Sequence, residues 1–178
     1  MPSIDIRVTQ KFPEPDFSRL QMLVFKDVQQ VSDQLRAVLD DEAAHAPASP
    51  YKHPPMFRLG AYAGEELVGW SFGWMERGNV FYMANSGVVA HYRRRGVYSL
   101  LLDGIRKHAQ SEGALALRSQ HSVVNNPVII AKLRAGFHIA GLSQSAQMGT
   151  LVELSLHFSE KRRALNRSRM LPYVTREA

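Results

Sequence analysis

Apolar positions recur along this chain with two periods, and the changes of period mark its elements. Ile4, Ile6 and Val8 alternate with polar residues from Ser3 to Gln10, as in a strand with one face buried. Pro13 and Pro15 interrupt that alternation, and Asp16 is read as the N-cap of a helix. Phe17, Leu20, Val24, Val28, Val31, Leu35 and Val38 then recur at steps of three or four. That spacing predicts helix, in two pieces if the chain breaks near Asp27 to Ser32. Ala43 to Met56 carries four of the nine prolines and reads as a loop. Its His45, Tyr51, Lys52 and His53 either line a substrate mouth or are simply solvated.

Phe57 to Ala63, Leu67 to Glu76 and Asn79 to Val89 read as three strands. The short Gly-containing links between them predict hairpins, hence antiparallel neighbours. From Val97 the period becomes helical through Leu101, Ile105 and His108, with Gly113 as the C-terminal cap. Ala114 to His121 reads as a further strand, which completes a βαβ unit and predicts a parallel pair. Asn126 and Pro127 suit the N-cap and first position of another helix, with Ile129, Ile130 and Leu133 inward and Gly136 at its end. Phe137 to Leu142 and Met148 to Phe158 close the sheet.

Composition narrows the class. A chain of 178 residues with 45% hydrophobic residues suits one domain. We expect it to span residues 1–159, followed by a basic tail over 160–178. No segment is apolar for long enough to span a bilayer, so no membrane partner is expected. The start, Met1 to Arg7, lacks the basic and apolar regions of a signal peptide, and a cytoplasmic location is expected. There is no cysteine, which excludes a disulfide framework and an acyl-cysteine intermediate. The seven histidines are scattered, none at His-x-x-x-His spacing, so no metal site is expected. The net charge is +6, but the tail from Glu160 holds six Lys or Arg and two Glu, or +4 of it. A nearly neutral body is a weak footprint for nucleic acid. The tail mixes arginines with Leu165, Met170, Leu171, Tyr173 and Val174, which suits a docked helix or a partner contact as well as disorder.

One stretch conflicts with ordinary helix chemistry. Arg93, Arg94, Arg95 and Gly96 stand where a strand gives way to a helix. A helix start already carries positive partial charge and unpaired N–H groups, so sequences normally put Asp or Glu there. Three arginines make sense if an anion completes the site, with Gly96 letting the backbone approach it. A solvated arginine run is the plain alternative. Neither a Walker pattern nor Gly-x-Gly-x-x-Gly is present.

The run Val88-x-x-x-Tyr92-Arg93-x-Arg95-Gly96-Val97-Tyr98 resembles the pyrophosphate loop of the GNAT superfamily of acyl-CoA-dependent N-acyltransferases, Arg/Gln-x-x-Gly-x-Gly/Ala, with Tyr98 replacing its last small residue. Asn125 followed by Gly136-Phe137 resembles a second signature of the same family. Together they cover about Phe57 to Phe158. The resemblance implies an α/β fold of α+β type. Its sheet would be mixed and mostly antiparallel, with a central parallel pair splayed around acyl-CoA and helices on both faces.

It also implies roles. Gly87 and Val88 would offer backbone groups to the pantetheine arm, and Arg94, Arg95, Gly96, Val97, Tyr98 and Ser99 would give N–H groups to the pyrophosphate. Asn125 would reach the pantetheine, or else cap its helix beside Asn126. Many members place a tyrosine seven residues after that Asn to protonate the departing thiolate, where this chain has Lys132. A lysine there could contact a CoA phosphate, donate a proton if its pKa is lowered, or merely be solvated. Tyr98 is another candidate acid, or packs at the helix start.

The implied reaction is acetyl transfer from acetyl-CoA, the cosubstrate, to a primary amine by direct attack in a ternary complex. A backbone N–H at the end of the strand carrying Val88 would stabilise the oxyanion. The acceptor would be a small molecule or a protein amine, with a homodimer as an option. His121 is the candidate base, since its ordinary pKa of about 6.5 suits the task. A structural histidine at a strand end is its plain reading, and Glu76, Tyr82 or a water are alternatives. A non-catalytic acyl-CoA-binding or partner-binding module of the same fold is the competing reading.

Overall fold

The computed structural model describes residues 3–25, 54–145 and 148–170, with isolated positions between 37 and 44. His45, Tyr51, Lys52 and His53, and the helical period from Val28 to Leu35, lie outside the described residues.

Seven strands form one mixed sheet: β1 (Ile4–Val8), β2 (Phe57–Ala63), β3 (Glu66–Glu76), β4 (Val80–Val88), β5 (Ala116–Ser122), β6 (His138–Ser145) and β7 (Gly149–His157), in the order β1-β2-β3-β4-β5-β7-β6. Every neighbouring pair is antiparallel except β4 and β5. Among the described residues it is accompanied by the helices α1 (Asp16–Val24), α2 (Val97–Ser111), α3 (Asn126–Arg134) and α4 (Glu160–Met170).

The two faces have different apolar clusters. On one, Val97, Leu101, Leu102, Ile105 and Ala109 of α2 meet Leu59, Val68, Phe81, Met83, Leu117 and Leu154 of the strands. Each fully buried Leu, Ile or Phe contributes roughly 1.5–3 kcal/mol relative to exposure. Gly104 lets α2 lie close to the sheet, since a Cβ there would stand 2.6 Å from Leu59 Cδ1. On the other face, Phe12 and Phe17 pack on Leu67 and Trp70, with the Phe17 and Trp70 rings edge to face at 5.3 Å. Among the described residues no helix is long and apolar enough to cross a membrane.

Three local expectations change. Asp16 is the first residue of α1 and not its cap; Pro15 holds the N-cap position. The Glu14 carboxylate accepts from the Ser18 N–H at 3.3 Å and from Ser18 Oγ at 2.8 Å, doing from one residue further out what a cap side chain does. At α3, Asn125 and not Asn126 holds the N-cap position, which puts Pro127 one position later than expected. Finally, Ile130 and Leu133 do not turn inward; they are 47% and 40% exposed, whereas Lys132 is 1% exposed. Ile130 and Leu133 lie on one side of the helix, and Val128, Ile129 and Lys132 on another, so only one set can meet the sheet.

The expected tail begins as helix. Arg163 Nη1 donates to the carbonyls of His157 (2.6 Å) and Phe158 (2.9 Å), tying α4 to the end of β7. Glu160 pairs with Arg163 and Arg167 along its exposed side.

Candidate functional site

The site begins where the parallel pair parts. β4 and β5 pair only over Val80–Ala116, Phe81–Leu117 and Tyr82–Arg118, although β4 runs on to Val88 and β5 to Ser122. A bulge in β4 starts the divergence: Phe72 faces Asn85 and Gly73 faces Met83, so Ala84 is the extra residue. Gly73 is required opposite it, because a Cβ there would lie 2.0 Å from the Tyr82 carbonyl oxygen. Past the bulge, the edge of β4 facing β5 is free of ladder hydrogen bonds over the last residues of the strand.

Gly87 lies in this stretch and has a packing role of its own. A Cβ on it would come within 2.4 Å of the Trp70 ring, whose Nε1 donates to Asn85 Oδ1 at 2.7 Å. The Val88 carbonyl is taken by Arg93 Nε at 3.0 Å, a bond that fixes the first arginine against the strand end.

A 3-10 turn, Ala90–Tyr92, carries the chain into the arginines. Arg94 adopts φ +59 and Gly96 φ +80, the left-handed region that glycine tolerates and arginine does not favour. These two turns point the chain into α2. Its first turn holds no acidic residue, and no side chain caps it. Among the described residues Arg93, Arg94 and Arg95 make no ion pair. The Arg95 guanidinium lies 5.8 Å over the Tyr92 ring, and Tyr92 in turn donates to Glu66 at 3.2 Å. The conflict read in the sequence is thus real in space: positive side chains beside a positive helix end, with the N–H groups of Val97, Tyr98 and Ser99 in its first turn. The Tyr98 hydroxyl faces inward. It is buried without a partner, and burial pushes the phenol well above its usual range.

A second set gathers about 16 Å back along β4, the strand rise over the five residue steps from Val88 to Met83. Lys132 reaches from α3 into the gap between the parted strands. Its Nζ donates to Ser119 Oγ at 2.8 Å, lies 3.3 Å from Met83 Sδ and 4.5 Å from the Phe137 ring centre. No carboxylate pairs with it among the described residues. Burial pulls the ammonium down to about 7. His121 Nε2 stands 3.1 Å from the same Ser119 oxygen. Burial first, and the Lys132 charge second, hold that imidazole down to about 3. Asn125 makes no capping hydrogen bond with its side chain and is exposed at the start of α3.

The opposite face of the same strands is polar as well. Arg118 Nη2 and Nε donate to Glu76 at 2.9 and 3.1 Å, and Nη1 lies 3.6 Å from Glu153. The guanidinium covers the Tyr82 ring at 4.8 Å. The Tyr82 hydroxyl donates to Gln120 at 3.2 Å, while the Gln120 amide donates to Glu153 at 2.7 Å and to Ser143 at 3.0 Å. The candidate bases Glu76 and Tyr82 are therefore both engaged in this network, whereas His121 faces the other way.

The structure puts Gly87 and Val88 at the end of β4, just before the turn that carries Arg94 to Ser99 into α2, and joins Lys132 with His121 through Ser119 nearer the β4 bulge. Sequence reasoning missed Ser119, which joins the last two. An isolated serine in a strand carries no signal of its own; only its register places it beside Lys132. Among the described residues no three His, Asp or Glu side chains gather as metal ligands.

The model of the acetyltransferase (GNAT) family matches residues 21–137. No curated protein sequence matches the chain. Among solved structures, the ribosomal-protein-S18-alanine N-acetyltransferase from Escherichia coli is similar at TM-score 0.65 and 11% identity, covering 88% of this chain and 95% of its own. An IAA acetyltransferase from Bacillus cereus gives TM-score 0.64 and 15% identity over 88% and 100%. A GNAT family acetyltransferase from Elizabethkingia anophelis, with acetyl-CoA bound, gives 0.61 and 14% over 87% and 98%. At such identities the likeness is one of fold. With the family model matched over more than half of its length, the chain belongs to the GNAT family of acetyltransferases.

Proposed function

We propose that this protein is an acetyl-CoA-dependent N-acetyltransferase that passes the acetyl group to a primary amine by direct attack in a ternary complex. The observation that carries this reading is the arginine-lined, uncapped start of α2 at the end of a strand whose edge is free. Such a mouth suits a diphosphate. The main-chain N–H groups from Arg94 to Ser99 would hold the pyrophosphate, with the guanidinium groups around it. The backbone of Gly87 and Val88 would pair with the pantetheine arm as an added strand does, the Val88 carbonyl being already used by Arg93. Asn125 would contact the same arm from the start of α3. The thioester would then lie beside the β4 bulge, within reach of Lys132. A lysine near 7 can surrender a proton at neutral pH, so Lys132 is assigned to protonate the departing thiolate, and its burial argues against a phosphate contact.

His121 remains the base of this scheme, as a neutral imidazole at the cleft's inner end. A small-molecule amine or a protein amine would serve as acceptor, and the Elizabethkingia relative crystallised with acetyl-CoA supports the choice of donor. The low pKa of His121 favours a second reading, in which the protein binds acyl-CoA without turnover. Two measurements test the proposal. Acetyl-CoA should raise the melting temperature, and no shift at millimolar acetyl-CoA would sink both readings. Thiol release with a panel of amines should occur and fall in His121→Ala; shift without release leaves the binding module.

A further inference from the structure

Lys132 poses a problem that the transfer scheme does not answer: once it has given up a proton, what returns one? Its Nζ is enclosed, and the residue is 1% exposed. Of its three neighbours, Met83 Sδ and the Phe137 ring carry no transferable proton. The third, Ser119 Oγ, is itself fully buried, with 0% exposure. Its strand neighbours across the sheet are Leu154 opposite Ser119 and Val152 opposite His121, neither titratable. The one described protein route by which a proton can return to Nζ is therefore through Ser119 from His121, which sits two residues along β5 on the same face and is half-buried.

We propose that Ser119 carries a proton between His121 and Lys132, so that the proton lost by the acceptor amine reaches the departing thiolate through the protein. The inference rests on the transferase reading above. A serine oxygen has two lone pairs and one proton, so it can accept from Lys132 Nζ and His121 Nε2 together. In that tautomer His121 Nδ1 is free to take a proton.

The amine lone pair forms the C–N bond to the acyl carbon, and the C–S pair departs with sulfur. One Nζ proton goes to the thiolate first; the lone pair this frees on Nζ takes the serine's own proton as the hydroxyl turns toward it, Ser119 Oγ takes the Nε2 proton of His121, and His121 Nδ1 takes the amine proton. One proton has moved from nitrogen to sulfur, and His121 is left in its other tautomer for water to reset. His121 need not stay protonated at any stage, so an imidazole too weakly basic to hold a proton can still pass one on. Ser119 touches neither reactant and is a positioning residue in this scheme.

Single-turnover transfer by the full-length protein is the test, paired with nitrogen NMR of His121 and Lys132. Ser119→Ala should slow transfer tenfold or more while leaving the melting shift from acetyl-CoA unchanged, and should shrink the solvent deuterium effect. Ser119→Thr, which keeps the hydroxyl, should recover most of the rate. In the NMR experiment Ser119→Ala should move the signals of both side chains. Transfer by Ser119→Ala at the wild-type rate, or movement of only one signal, would overturn the path. If the wild-type protein binds acetyl-CoA but acetylates no amine, the transferase reading is what fails, whereas loss confined to the serine variant bears on the relay alone.

Discussion

Each strand of the parallel pair is followed by a helix, and the two helices put opposite things into the protein. α2 buries Val97, Leu101, Leu102, Ile105 and Ala109, all apolar, and leaves the three arginines to the exposed turn that precedes it. α3 is short, leaves Ile130 and Leu133 largely to solvent, and fully buries only Lys132. A helix held by five apolar anchors can keep its N–H groups fixed beside a cluster of like charges, because packing outweighs the local repulsion. A helix that buries an ammonium without a counter-ion is spending stability, since an unpaired buried charge costs several kcal/mol. The contrast separates a rigid binding mouth from a site placed for chemistry.

Lys132→Met should break the contrast most sharply. Loss of a positioned acid lowers transfer by about 10²–10⁴-fold, measured by single-turnover assay. The same change should stabilise the fold by about 1–4 kcal/mol in a denaturant titration, because a buried charge gives way to an isosteric apolar chain. A protein that unfolds more readily with Met at 132 would mean that Lys132 is structural.

Leu101→Ala should cost about 2–5 kcal/mol, since this α2 residue is fully buried against the sheet, whereas Ile130→Ala on the exposed side of α3 should cost less than about 1 kcal/mol by the same titration. Equal losses would erase the distinction between the helices.

At the binding mouth, Arg95→Ala should weaken acetyl-CoA by about 1.5–3 kcal/mol, seen as a reduced melting shift that also falls with added salt. Gly96→Glu, which adds a carboxylate and a Cβ at φ +80, should abolish the shift. An undiminished shift in both variants would move the anion site elsewhere.

Stability should also rise with pH above neutrality. The Lys132 ammonium sits near 7 in the fold against about 10.5 when unfolded, so between these values the unfolded chain binds more protons and each pH unit favours the fold. The slope reaches at most about 1.4 kcal/mol per unit, and Lys132→Met should flatten it. Below pH 6.5 the depressed His121 acts with the same sign, stability falling as pH drops toward 3. The smallest effect belongs to α4: Arg167→Ala removes an exposed pair with Glu160 and should change stability by less than about 1 kcal/mol.

Much of this was legible beforehand. The strand and helix periods located all seven strands to within a few residues, and the arginine turn announced itself because it violates a local electrostatic rule. The helix caps were misread by one residue at α1 and α3, since Glu14 and Asn125 depend on side-chain reach and backbone angle and not on residue type alone. The inward face of α3 was misread because Ile129, Ile130 and Leu133 spread around the helix, and hydrophobicity alone could not choose which side would meet the sheet.

By itself the sequence determined the alternation that builds a half-buried sheet, the order of its elements, and a positive helix start in need of an anion, because each of these follows from residues near one another in the chain. Only the tertiary structure decided that β4 and β5 part beyond Tyr82, that Lys132 fills the gap, and that Ser119 bridges it to His121. Those groups come from separate elements, and their burial, hydrogen bonding and shifted protonation exist only once the sheet and α3 have closed around them.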